Sequence, residues 1–270
     1  GGASATSNVL AGRTYGLPLS GTMAHSYVMT FDSEIEAFRT FARDFPNRTT
    51  FLVDTYDTLN GVRTAIEVIG ELGLSDNLAI RPDSGDLGEL SRGARTLLDD
   101  AGLKHVRIFA SGGLDEVELD RLVRGGAPID AFGVGTRMGV SADAPSLDSA
   151  YKLVEYDGRP MLKLSEAKAT EPGRKQVFRG RGEDVVGLRD EPLPEDREPL
   201  LVPVMAAGRR TGPPRPLETA RTLFRADLEH VPEEARRIED PVAPTARNSD
   251  ALEDLSERAK ADALKRAGLP

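Results

Sequence analysis

Arg81-Pro82-Asp83-Ser84-Gly85-Asp86 brings a guanidinium, two carboxylates and a hydroxyl together in six residues. Arg81 can clamp a phosphate or carboxylate through two N–H groups. Asp83 and Asp86 can accept ribose hydroxyls or hold magnesium, because hard cations take oxygen ligands. A plainer reading is a capped turn in which Ser84 or Asp86 starts the next helix; Asp86 suits the cap and Asp83 the ligand. Ser111-Gly112-Gly113 and Gly133-Val134-Gly135-Thr136 are glycine turns. Such turns let backbone N–H groups approach a phosphate, with a helix N-terminus adding partial positive charge, or they simply reverse the chain tightly. His25 lies in Gly21-Thr22-Met23-Ala24-His25-Ser26 and is one of three histidines, none spaced as a metal-ligand pair. A lone histidine is by default structural or solvated, yet an imidazole can act as a nucleophile and carry a phosphoryl group. Lys168 to Gln176 is a basic loop in which Lys168, Arg174 and Lys175 either close over phosphates or lie exposed in a hairpin loop.

These groups need elements to hold them. Apolar runs start at Phe51, Leu78, Val106 and Asp130-Ala131, and each ends in polar residues at its C-terminal side. Short runs of this form read as parallel strands buried on both faces. The tips carry Asp54 and Asp57, then Arg81 to Asp86, then Ser111 to Gly113, then Gly133 to Arg137. Ligands bind at that end of the strands in barrels and open α/β sheets alike. Four such tips in succession suggest an anion site, with Asp54 and Asp83 as the expected magnesium ligands. Between the runs, Ser33–Phe41, Thr58–Leu72, Leu87–Ala101 and Asp115–Val123 have helical spacing. Alternation of this kind predicts βαβ units and a parallel sheet. A further strand is expected at Leu17–Thr22. A closed barrel takes eight strands, so either the sheet is open or the other strands lie upstream of Gly1.

After residue 150 the pattern changes. Asp157-Gly158 sits between two strand-like runs and signals a hairpin. Residues 185–216 read as a loop or connecting segment, and helices are expected at Leu217–Glu229 and Asp250–Arg266. The expected organisation is 1–150, a partial βα-barrel; 151–216, a hairpin and loop-rich α+β part; and 217–270, C-terminal helices.

The chain has 270 residues, 44 acids against 35 bases and no cysteine. The acidic balance argues against a general nucleic-acid or anionic-membrane binder. Lack of cysteine excludes disulfides, thiolate zinc sites and cysteine nucleophiles, and fits a cytoplasmic setting. No run approaches the roughly 18 apolar residues of a membrane span. Gly1 opens what reads as folded sequence, so an upstream part of a longer protein is expected.

Taken in order, Ala5-Thr6-Ser7-Asn8-Val9-Leu10-Ala11-Gly12, Gly21 to Ser26, Val53-Asp54-Thr55-Tyr56-Asp57-Thr58, Arg81 to Asp86, Ala110-Ser111-Gly112-Gly113-Leu114-Asp115, Phe132 to Thr136 and Lys168 to Val177 resemble the nicotinate phosphoribosyltransferase family. The resemblance covers essentially the whole chain and is strongest to about residue 180. It implies the type II phosphoribosyltransferase fold, here an incomplete, irregular α/β barrel with an α+β and helical C-terminal part. It implies that nicotinate and 5-phosphoribosyl-1-pyrophosphate (PRPP) give nicotinate mononucleotide and pyrophosphate in NAD salvage, coupled to ATP through a phosphohistidine, with Mg²⁺. His25 matches that histidine. Ser26 would help hold nicotinate, while Arg81, Asp83 and the neighbouring Ser84 would lie at the substrate and ribose-phosphate site. Gly112, Gly113, Gly133, Gly135 and Thr136 would hold the 5-phosphate. Many relatives carry an acid where this chain has Gly113, which leaves only its backbone as a ligand. The implied partners are small molecules, with neither nucleic acid nor membrane, and the implied assembly is a homodimer. The nicotinamide-specific relative shares the Arg-Pro-Asp-Ser-Gly run and is the rival enzyme; a non-catalytic phosphate-binding fragment is the rival outside enzymes.

Overall fold

The computed structural model describes residues 2–146, 150–164, 170–180, 183–192 and 195–268. The chain divides into two compact units, Ala3–Leu147 and Asp148–Pro270 with Gly1–Gly2. The stretches expected as a loop-rich part and as C-terminal helices both belong to the second.

In the first unit the order is α1 (Val9–Tyr15), α2 (His25–Val28), α3 (Glu34–Asp44), β1 (Thr50–Leu52), α4 (Thr58–Leu72), β2 (Ala79–Arg81), α5 (Leu87–Asp100), β3 (Arg107–Ser111), α6 (Glu116–Arg124), β4 (Ala131–Gly133) and α7 (Thr136–Val140). The strands form one parallel sheet in the order β1-β2-β3-β4. Its register sets Leu52 beside Arg81 and Ser111 beside Gly133, so the C-terminal tips lie level along one edge. This is the α/β fold with a parallel sheet that the alternation predicts. The described strands make an open sheet, short of the eight that close a barrel.

The core explains why the short strands hold. Phe51, Leu52, Val53, Ile80 and Ile108 are fully buried, with Phe38 of α3 packed against Phe51 in a tilted arrangement, 5.0 Å between ring centroids. Burying each such side chain contributes about 2–3 kcal/mol. Helix α4 adds Val62, Ala65, Val68 and Ile69 from one face. It approaches β1 so closely that a Cβ on Gly61 would lie 2.1 Å from the Val53 carbonyl oxygen. Only glycine fits there, and that contact fixes the chain just ahead of Asp54.

One expectation fails here. Leu17–Thr22 is not a strand; it makes a single bridge, Thr6 to Leu19. One bridge does not extend into a strand through a segment with only two apolar residues, Leu17 and Leu19, and with Pro18 between them lacking the N–H a ladder needs.

The second unit contains β5 (Glu155–Tyr156), β6 (Arg159–Pro160), β7 (Lys175–Arg179), β8 (Asp184–Leu188), β9 (Glu198–Pro199), β10 (Met205–Ala206), β11 (Arg209–Arg210), α8 (Leu217–His230), a 3₁₀ turn (Glu233–Arg236), β12 (Ala246–Asn248) and α9 (Asp250–Arg266). The predicted hairpin is β5–β6, turning at Asp157-Gly158 with both φ angles positive. A second sheet runs β12-β8-β7-β9, with Phe178 and Val185 buried in it and Leu252 of α9 buried nearby in the unit. Reading 185–216 as a loop is therefore corrected: β8 to β11 occupy it, and it reads as loop because three of those strands are only two residues long.

Candidate active site

The sheet's level tips place one residue set from each βα unit side by side. Beyond β1 come Asp54 and Thr55; beyond β2 come Asp83 and Ser84; β3 ends at Ser111, followed by Gly112; β4 ends at Gly133. His25 opens the one-turn helix α2, which Met23 and Val28 pin to the core, both buried.

His25 stands between two of these tips. Its Nδ1 lies 3.1 Å from Thr55 Oγ1. Its Nε2 lies 3.8 Å from Asp54 Oδ1 and 3.6 Å from Asp83 Oδ2. Each carboxylate is held through its other oxygen: Ser84 Oγ donates to Asp54 Oδ2 at 2.5 Å, and Ser111 Oγ donates to Asp83 Oδ1 at 2.5 Å. The Asp54 side chain is only 2% exposed, and its Oδ1 is buried without a hydrogen-bond partner. The imidazole is 39% exposed, so it sits between a buried acid and solvent.

Arg81 ties this cluster to the histidine turn, donating from Nη1 to Thr22 Oγ1 at 2.5 Å. Its Nε is buried and unpartnered. Gly112 has φ +108, and a Cβ there would lie 1.7 Å from the Asp83 carbonyl oxygen. Gly133 is tight but less confined, 3.0 Å from Phe109 and 3.1 Å from the Ser111 side chain by the same measure. The glycines therefore allow close backbone approach beside Asp83 and Ser111.

Of the residues singled out from the sequence, His25, Asp54, Asp83 and Ser84 come together directly, and Arg81 joins them through Thr22. Ser26 is exposed at the next position of the histidine turn. Gly113 is exposed with φ +62, Gly135 precedes α7, and Thr136 is its first residue. Asp86 is the cap of α5, accepting from the Glu89 N–H at 3.1 Å. Beside the β3 tip, Asp115 caps α6 and pairs with Arg137. The Glu118 N–H first, and Arg137 second, hold its carboxyl below the usual range.

In the second unit, Arg174 pairs with Glu155 at 3.1 Å. Lys175 Nζ donates to the carbonyls of Glu171 and Gly173 at 2.7 and 2.8 Å, and burial pushes its ammonium pKa down. That cation is engaged inside its own loop. Lys168 lies outside the described residues. Thr22 and Thr55 carry no role in the sequence reading, although both lie inside its motifs, Gly21 to Ser26 and Val53 to Thr58; that membership was the available signal.

Among the described residues no group of three or more histidine or acidic side chains is placed to hold a metal. Asp83 offers a partly exposed hard oxygen donor, whereas Asp54 is enclosed. Such a pair suits magnesium only where substrate oxygens or water complete the shell. No helix among the described residues is long and apolar enough to cross a membrane.

The nicotinate phosphoribosyltransferase (NAPRTase) family model matches residues 3–184. The chain is 52% identical over 246 residues to the nicotinate phosphoribosyltransferase pncB2 of Mycobacterium tuberculosis, covering 88% of this chain and 52% of that protein. It is 46% identical over 187 residues to the nicotinate phosphoribosyltransferase of Bacillus subtilis, covering 66% of this chain and 38% of that protein. The crystal structure of human nicotinic acid phosphoribosyltransferase superposes with a TM-score of 0.73 at 25% identity, covering 95% of this chain and 65% of that one. The chain thus spans about half the length of the M. tuberculosis relative or less of the B. subtilis one. A family match over residues 3–184, with a relative 52% identical across 88% of this chain, settles its kinship: the chain belongs to the nicotinate phosphoribosyltransferase family.

Proposed function

We propose that this chain carries the catalytic centre of an ATP-coupled nicotinate phosphoribosyltransferase, forming nicotinate mononucleotide and pyrophosphate from nicotinate and PRPP. The observation that carries the reading is the position of His25 Nε2, within 4 Å of carboxylates from two neighbouring strand tips. His25 takes the γ-phosphoryl group: an N–P bond forms as the P–O bond to ADP breaks, and ADP leaves. Carboxylates beside the ring stabilise the positive charge that develops on the imidazole. Asp54, buried and unpartnered on the facing oxygen, is the orienting acid.

Phosphoribosyl transfer builds oxocarbenium-like charge at ribose C1. Asp83 is placed to orient the ribose, and Arg81 to bind an anionic group of a substrate. Gly112, Gly113, Gly133 and Gly135, with Thr136 and Ser84, would receive the 5-phosphate and ribose, and Ser26 the nicotinate. Asp83, and Asp54 after a shift of its enclosed carboxylate, are the residues that would hold Mg²⁺; when bound it neutralises charge on the pyrophosphate leaving group. The same reading makes the enzyme a cytoplasmic homodimer, a state that sedimentation measures.

Incubation with [γ-³²P]ATP tests the reading. An acid-labile, base-stable label on His25, absent from His25→Ala, is the expected result. A folded chain that takes no label overturns it. Product formation from nicotinate and not nicotinamide separates it from the nicotinamide-using relative.

A further inference from the structure

The reading above leaves Thr55 without a role. Its hydroxyl oxygen is 3.1 Å from His25 Nδ1, while the other ring nitrogen faces two carboxylates. Carboxylates only accept, so they attract an N–H and repel a lone pair. Asp54 Oδ1 is buried without a partner, and Ser84 and Ser111 already occupy the far oxygens of Asp54 and Asp83. The proton of the neutral imidazole therefore belongs on Nε2, which leaves Nδ1 unprotonated. A threonine hydroxyl donates or accepts as its neighbour requires, and opposite an unprotonated nitrogen it donates.

We propose that Thr55 is the positioning residue of His25: before phosphoryl transfer its O–H donates to Nδ1 and holds the ring with Nε2–H turned to Asp54 and Asp83, and the hydroxyl then turns aside to free the Nδ1 lone pair for attack on phosphorus. The two carboxylates alone cannot do this. At 3.6 and 3.8 Å they attract the N–H but lie beyond good hydrogen-bond range, and attraction at that distance is weakly directional. The ring is 39% exposed, so solvent leaves its rotation open on the other side. Thr55 has the advantage of its place in the chain: it lies three residues past the end of β1 and two past the backbone that Gly61 clamps. A hydroxyl fixed to the core thus sets the angle of a ring that projects toward solvent.

The inference rests on His25 being the reacting group, but its orientation can be read without turnover. The histidines are labelled with ¹⁵N and the nitrogen–proton correlations recorded at alkaline pH without ATP or metal. His25 is one of three histidines, and the exposed His105 and His230 are assigned by replacing each with Gln. The unsubstituted chain is expected to give the Nε2–H pattern at His25. Thr55→Val is expected to move it toward an average of the two tautomers, and Thr55→Ser to restore it. In turnover, Thr55→Val should lower kcat about tenfold with KM for nicotinate within about twofold, again restored by Thr55→Ser. An Nδ1–H pattern in the unsubstituted chain overturns the proposal, as does an unaltered pattern in folded Thr55→Val. Should Thr55→Val fail to fold, the unsubstituted chain and Thr55→Ser still decide: a tautomer-averaged pattern in the former, or loss of the pattern in the latter, overturns it. An Nε2–H pattern restored by serine, in a chain that takes no phosphoryl label, supports the positioning role and removes the proposed reaction.

Discussion

At position 112 a methyl group has nowhere to go. The Asp83 carbonyl oxygen would be 1.7 Å away, and φ +108 is strained for any residue with a Cβ. Gly112→Ala must therefore move the β2 tip or its own turn, and should cost about 3 kcal/mol or more in urea unfolding. Gly113→Ala is the matched comparison, with φ +62 but open space around its Cβ, and should cost about 1–2 kcal/mol. Equal costs would mean that the approach to Asp83 is not confining. Asp54 makes a second residue-scale prediction. Asp54→Asn keeps the shape but removes the charge facing His25, so labelling by ATP should slow at least about tenfold in a chain that still folds. Labelling at the full rate would remove Asp54 from the mechanism. At this scale the sequence was informative: His25, Asp54, Asp83 and Arg81 stand out by type. Thr55 did not, because a threonine beside an aspartate has no chemistry until a ring nitrogen is seen opposite it.

Among the elements, the helices that follow the strands start alike. Asp57, Asp86 and Asp115 cap α4, α5 and α6, accepting from the N–H groups of Asn60, Glu89 and Glu118 at 2.8, 3.1 and 2.9 Å. Asp57→Ala should cost about 1 kcal/mol in urea unfolding and Asp57→Ser much less; identical losses would assign the effect to charge alone. Helix α3 adds a pH-dependent term at Glu34. Burial above all pushes its carboxyl up, with the Asp57 charge adding and a hydrogen bond from Thr64 opposing. A carboxyl raised in the folded state favours folding at pH below the ordinary value of about 4.5, and that contribution is lost as pH rises through the folded pKa. Glu34→Gln should therefore gain on the parent chain as pH rises from about 4 to 7, and a flat or falling difference would contradict the burial. Helices were also the elements best seen in sequence. Thr58–Leu72 and Asp250–Arg266 match α4 and α9 end to end, because caps and apolar spacing are local. The strands β9 to β11 were not seen, since a two-residue strand owes its existence to a partner elsewhere in the chain.

The cluster itself is a property of the whole first unit. His25, Asp54, Asp83 and Ser111 come from successive segments, and only the parallel register brings them level, so no single motif could show which nitrogen faces which acid. The net charge acts at the same scale. Two of the proposed substrates, PRPP and ATP, are polyanions, and the chain carries −9. Several arginines sit beside acids, as in Arg39 with Glu71, Arg95 with Asp99, Arg121 with Glu118 and Arg137 with Asp115, which weakens the positive field they exert at a distance. Long-range repulsion should then oppose approach, while Arg81 acts only at contact distance. Salt separates the two, because a Debye length of about 10 Å at 0.1 M screens the distant field and leaves the half-buried contact largely intact. The association rate of PRPP at fixed Mg²⁺ should rise severalfold between about 10 and 150 mM NaCl, with little change in dissociation. Stopped-flow binding measures both rates. A fall in association rate with salt would mean that local positive potential at the sheet tips outweighs the charge of the whole chain.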